Sequence, residues 1–166
     1  VRKIGEEATR VLFGETKALM LDAMRENGSA EFNTYFDTCF EIAPPYEGDE
    51  LLAAFARRSH YVREWLLFLQ KYPLVLTPFL LGPIYSWNRD MEGREGAEEV
   101  MLKGFYSFAM NLMGLPAGNV PANYNDGLPI GVQIVGRRFR EDMILDACEA
   151  IENRVGVMAK KLFERG

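Results

Sequence analysis

Apolar positions along the chain recur mostly at three- and four-residue spacing, which predicts a largely helical protein with a few short strands. From Glu15 to Asn27, Leu19, Met20, Ala23 and Met24 share one face, and Asn27-Gly28 gives a C-terminal stop. Ser29 is placed to cap the next helix, where Phe32, Tyr35, Phe36, Cys39 and Phe40 recur before Pro44-Pro45. Asp49 suits the N-cap of a longer helix through Leu51, Phe55, Val62, Trp65 and Leu69, closed by Pro73. Leu74 to Thr77 reads as a buried strand ending at Pro78, and Phe79 to Arg94 has no period and reads as a loop. A helical pattern returns from Glu95 to Met113 and stops at Gly114-Leu115-Pro116. Ala117 to Val120 and Ile130 to Val135 are then expected as strands, joined through a turn at Asn125-Asp126-Gly127. Glu141 to Arg154 forms a final amphipathic helix, its acidic start matching the helix dipole.

These elements predict an α/β fold: a partial mixed sheet of about three or four strands covered by about five helices. The strands are nearly continuous in apolar character, as expected where both faces are covered. Residues 1–45 form a helical portion and 46–166 a strand-and-helix portion, with no repeat or linker between them. So thin a sheet for so many helices implies either self-association or a place in a larger sheet.

Composition narrows the function classes. The 166 residues are 48% hydrophobic and 26% charged, which is globular and long enough for a core. A formal charge of −5 and isolated basic pairs, Arg57-Arg58 and Arg137-Arg138, argue against a nucleic-acid partner. Cys39 and Cys148 are too few and too far apart for a disulfide framework or a thiolate zinc site, and are expected as free thiols in a cytoplasmic protein. No apolar run approaches the roughly 20 residues of a membrane helix, so no membrane partner is expected. The acidic N-terminus is not expected to act as a signal peptide. The sequence starts at Val1 rather than Met, which leads us to expect a preceding segment.

Candidate chemistry is sparse. The four serines, Ser29, Ser59, Ser86 and Ser107, lie outside any Gly-rich elbow, and a serine nucleophile needs a neighbouring base and oxyanion donors. The single histidine, His60, has no Cys, His or Asp cluster around it in sequence, so no metal is expected. Consecutive acids such as Glu98-Glu99 point to different parts of a helix surface. Phe79, Leu81, Tyr85 and Trp87 follow directly after the first strand, where open sheets build ligand crevices. They either form a pocket wall or lid for substrate or fill local core beneath the loop.

One block is more specific. Asn111-x-x-Gly-Leu-Pro-Ala-x-x-Val-Pro, then Gly127-Leu-Pro-Ile-Gly-Val-Gln-Ile-Val-Gly136, then Phe139-x-Glu-Asp-x-x-Leu145 through Ile151-Glu152, closely resembles the C-terminal portion of amidase signature enzymes. Tyr72-Pro-Leu-Val-Leu-Thr-Pro78 is similar to that family's strand ending in Thr-Pro. The resemblance spans residues 60 to 155. It implies a carboxylic amide hydrolase that uses a Ser-cisSer-Lys triad, with no metal and no organic cofactor. It also implies that the triad lies in an N-terminal part of the same enzyme, since no Gly-Ser-Ser loop occurs here and no catalytic residue carries over. Within that fold, Pro116, Pro121 and Pro129 are expected to end ladder pairing, and Gly114, Gly131 and Gly136 to permit close approach or unusual dihedrals. Asn111 is expected to bond backbone at a helix end, and Gln133 to satisfy buried backbone groups or a pocket edge. Lys103-Gly104-Phe105 stands where glutamine-using relatives tend to carry an acid, which favours an apolar or aromatic amide over glutamine. The rival expectation is a non-catalytic binding or assembly module that keeps this architecture. In either case an exposed apolar sheet edge predicts a homo-oligomer.

Overall fold

The computed structural model describes residues 1–125 and 127–164. In chain order the helices α1 (Arg2–Leu19), α2 (Leu21–Asn27), α3 (Ala30–Ile42) and α4 (Gly48–Lys71) precede strand β1 (Leu74–Pro78). A 3-10 turn (Arg89–Met91), α5 (Gly93–Lys103) and α6 (Phe105–Met113) follow, then β2 (Ala117–Asn125), β3 (Leu128–Gly136), α7 (Glu141–Val155) and α8 (Met158–Phe163). The chain is α/β, as its patterning predicts. Its helices are more numerous than expected because the periodic stretches break at Met20 and at Gly104, and because the short α8 follows the last expected helix. Contacts divide the chain into two compact units, one of Val1–Tyr61 with Tyr85–Met113, the other of Val62–Ile84 with the chain from Gly114 onward.

The first unit is helical. α1 begins at Arg2, well before Glu15, and buries Ile4, Ala8, Val11 and Phe13 together with Gly5 and Gly14. A Cβ on Gly5 would fall 2.5 Å from the Phe105 carbonyl oxygen, and one on Gly14 would fall 2.3 Å from that of Tyr46. These glycines let backbone pass against backbone, a use that hydrophobic periodicity does not register. Ser29 caps α3 as expected, its hydroxyl accepting from the Phe32 N–H at 3.2 Å. Phe13, Cys39 and Ala97 form a small core, with Tyr35, Phe40 and Met101 packed around it. Phe13 and Phe40 meet edge-to-face at 5.2 Å. Buried Glu7 accepts from Arg57 Nε at 2.6 Å and from the Tyr61 hydroxyl at 2.5 Å. Asp49, expected as the cap of α4, lies inside its first turn, because the helix already begins at Gly48.

The second unit is built on an antiparallel sheet in the order β1-β3-β2. Leu74 to Pro78 pair with Gly136 to Val132, and Ala117 to Asn125 pair with Val135 to Leu128. Side chains alternate between faces. On one face Val120 and Ile134 pack against Ile144 of α7, supported by Leu74, Ala147, Cys148 and Ile151. Gly118 and Gly136 clear the way for that helix: a Cβ on either would come within 3.0 Å of Ile144. Burying side chains of this size contributes about 1.5–3 kcal/mol each.

The prolines behave differently from the expectation that they end pairing. Pro116 precedes β2, and its carbonyl accepts from the Gly136 N–H at 3.1 Å. Pro121 and Pro129 lie inside the ladder, opposite Gly131 and Tyr124. β2 is an outer strand, and β1 reaches only residues 132–136 of β3, so each of these prolines can turn its missing N–H away from a partner. A register shift between Pro121 and Asn123 absorbs the local irregularity. In the expected turn, Gly127 has φ 82°, while Asp126 lies outside the described residues.

Candidate functional site

β1 delivers Thr77 and Pro78 to the end of the sheet, and the chain then runs on through Phe79 to Ile84. The far ends of β2 and β3 come to the same place, because antiparallel pairing sets Pro78 against Val132 and Pro121 against Gly131. Between them lies a hollow of about 610 Å³. Phe79, Leu80 and Ile84 line it from the strand-exit segment, and Pro129 and Ile130 from the hairpin. This is the size and apolar character of a small-molecule site. Asn119 stands among these apolar side chains.

Beside the hollow is a buried polar pair. Gln133 is 3% exposed, and its Nε2 donates to the Thr77 hydroxyl at 3.0 Å. The two are direct partners across β1 and β3, and Asn119 is the direct partner of Gln133 across β3 and β2. Thr77, Gln133 and Asn119 therefore form one polar rung across the whole sheet, on the face away from α7. Two members are buried, and Asn119 is exposed. Gly131 makes room for it: a Cβ there would lie 2.8 Å from Asn119 Oδ1.

The four residues singled out from the loop are distributed between the two units. Phe79 lines the hollow and is 42% exposed. Leu81 is exposed next to it in sequence but is not part of the lining. Tyr85 belongs to the helical unit, where its hydroxyl donates to the Val100 carbonyl at 3.1 Å and the Lys103 ammonium sits 5.2 Å from its ring. Burial pushes that hydroxyl's pKa up. Trp87 is 91% exposed. Leu80 and Ile84 were legible only as part of an apolar run, and Asn119 not at all without the strand register.

Of the motif residues, Gly114 has φ 62°, and its carbonyl accepts from Arg138 Nε at 3.1 Å. Asn111 is exposed on α6 beside Phe108 and Leu112. Lys103 pairs with Glu99, which Arg89 also holds at 2.8 Å, and these cations keep the Glu99 carboxyl below its usual range. Among the described residues no group of His, Cys, Asp or Glu side chains is arranged to hold a metal. No described helix is long and apolar enough to cross a membrane. The lining of the hollow offers contact surface and one carboxamide. Among the described residues that lining has no acid, base or nucleophile.

Residues 15–145 match the family described as Amidase. The chain belongs to the amidase family. This amidase-family chain is 36% identical over 155 residues to an indoleacetamide hydrolase of Bradyrhizobium diazoefficiens, covering 93% of itself and 30% of that protein. Over 96 residues it is 31% identical to a glutamyl-tRNA(Gln) amidotransferase component of Lactococcus lactis, covering 57% of itself and 19% of that protein. Its fold matches a 6-aminohexanoate cyclic dimer hydrolase with a TM-score of 0.68 at 20% identity, over 96% of this chain and 36% of the other. A bacterial aryl acylamidase of the amidase signature family gives 0.65 at 19% identity, over 95% and 34%. The chain thus spans 30% or less of the length of these two curated relatives.

Proposed function

We propose that this chain is the C-terminal portion of an amide hydrolase acting on a small aromatic acetamide, releasing the carboxylic acid and ammonia. The Ser-cisSer-Lys triad belongs, in this reading, to a portion of the enzyme outside the chain. The 166 residues supply scaffold and an apolar wall of the substrate site. The observation that carries the reading is the 36% identity to an indoleacetamide hydrolase along 93% of the chain. The match to the amidotransferase component extends over only 57%. The apolar hollow of the strand unit supports the same choice, since its lining suits an aromatic ring and, among the described residues, has no charged group for an amino acid's ammonium or carboxylate.

The test is complementation. The purified chain is mixed or co-expressed with the N-terminal portion of an indoleacetamide hydrolase, and ammonia release is measured from indole-3-acetamide and from glutamine. We expect no turnover by the chain alone, and turnover of indole-3-acetamide well above glutamine by the pair. Failure of every complemented pair to hydrolyse any amide, or a preference for glutamine, would overturn the reading.

A further inference from the structure

We infer that Asn119 is a specificity-determining residue of the hollow, holding the ring N–H of an indole-like acyl group through its side-chain carbonyl. This deepens the proposed function and rests on it.

Strand register places the group. Asn119 and Gln133 are direct cross-strand partners, so their side chains stand on the same face of the sheet. Gln133 turns toward β1, where its Nε2 donates to Thr77. Among the described residues, the Asn119 carboxamide has no hydrogen-bond partner. A carboxamide offers two donor hydrogens and two acceptor lone pairs. Here those groups lie in a hollow whose other described lining side chains are apolar.

Its position is fixed from below. The space a side chain on residue 131 would fill is taken by the Asn119 carboxamide, with Oδ1 at 2.8 Å and Nδ2 at 3.0 Å from a Cβ built there. The neighbouring Val120 is committed to the other face, against Ile144, so β2 is not free to rotate Asn119 away. An apolar hollow with one placed polar group is the arrangement that orients a ligand as well as holding it. A site that pairs with a ligand N–H also discriminates against the analogue lacking it, because its own polar group is then desolvated without return. Phe79, Ile84 and Ile130 would take the ring faces, and Asn119 Oδ1 would accept from the ring nitrogen.

The experiment uses two probes of nearly equal size on the 166-residue chain. Indole-3-acetamide carries a ring N–H, and naphthalene-1-acetamide does not. In amide-resolved NMR titrations, indole-3-acetamide should shift the Asn119 side-chain NH₂ and the Gly131 backbone N–H, and should bind about tenfold tighter than the naphthalene analogue. Asn119→Ala should bring the two affinities within about twofold of each other. Gly131→Ala should do the same by displacing the carboxamide without altering its chemistry. No shift at these residues with either probe, or a preference that persists in both variants, overturns the inference. The same ratio can be read as turnover in the complemented enzyme. Turnover with an indole preference untouched by Asn119→Ala removes this inference and leaves the amidase reading standing.

Discussion

Glu7 is the most informative residue to perturb in the helical unit. Its carboxylate accepts from the Tyr61 hydroxyl at 2.5 Å and from Arg57 at 2.6 Å. Tyr61 is 9% exposed, whereas the Arg57 side chain is 46% exposed. A hydrogen bond from a buried hydroxyl to a charged acceptor is worth about 1.5–3 kcal/mol, and truncation also leaves the hydroxyl unpaired. The Arg57 pair is screened by water and adds less than about 1 kcal/mol. Glu7→Ala should therefore cost about 2–4 kcal/mol, and Glu7→Gln, which keeps an uncharged acceptor, about half as much. Urea unfolding followed by circular dichroism at pH 7 measures both.

The same bond has a pH signature. The Tyr61 pKa is pushed up to about 12, first by its hydrogen bond to Glu7 and then by burial. A folded-state pKa above the unfolded value means that the folded protein holds the proton. The contribution is therefore complete below pH 10 and fades as pH rises from 10 toward 12. The gap in stability between wild type and Glu7→Ala should narrow over that window. Ultraviolet titration of tyrosinate should show one group moving down toward 10 in the variant. A loss under about 0.5 kcal/mol, with an unchanged tyrosinate titration, would refute the reasoning.

Three further outcomes follow from the packing. Ser29→Ala removes the N-cap side chain of α3 and should cost about 1 kcal/mol, read as a lower urea midpoint with unchanged slope. Gly118→Ala places a methyl 2.7 Å from Ile144 Cγ2 and 3.2 Å from Cys148 Sγ, and should destabilise the strand unit by about 1–3 kcal/mol, visible as faster amide exchange in β2 and α7. The isolated chain should form a dimer or larger species in light scattering, because the outer edge of β1 is open and Leu76 on it is 65% exposed. A clean monomer at micromolar concentration would contradict this.

How much of this was legible in the sequence depends on whether a residue acts locally. Ser29, Pro73 and the acidic start of α7 work within a few residues of themselves, so spacing alone places them. Gly5 and Gly14 meet the backbones of Phe105 and Tyr46, contacts that no local window reveals. Pro121 and Pro129 looked like ends of pairing because the one-sidedness of their ladder is a property of β1's length and the strand order. The loop aromatics show the same limit. Phe79 lines the hollow directly after its strand, while Tyr85 and Trp87 leave with the other unit after a few residues without periodicity. Asn119 carried no signal of its own. Its meaning comes from standing opposite Gln133 and above Gly131, and both relations are fixed by register.

A division of labour lies at the centre of the proposed function: this chain binds and braces while another part of the enzyme reacts. The most direct measurement is the intact mass of both polypeptides after the complemented enzyme is treated with a serine-directed fluorophosphonate. One adduct is expected on the N-terminal portion and none on the 166-residue chain. An adduct on Ser29, Ser59, Ser86 or Ser107 that abolishes turnover would contradict it.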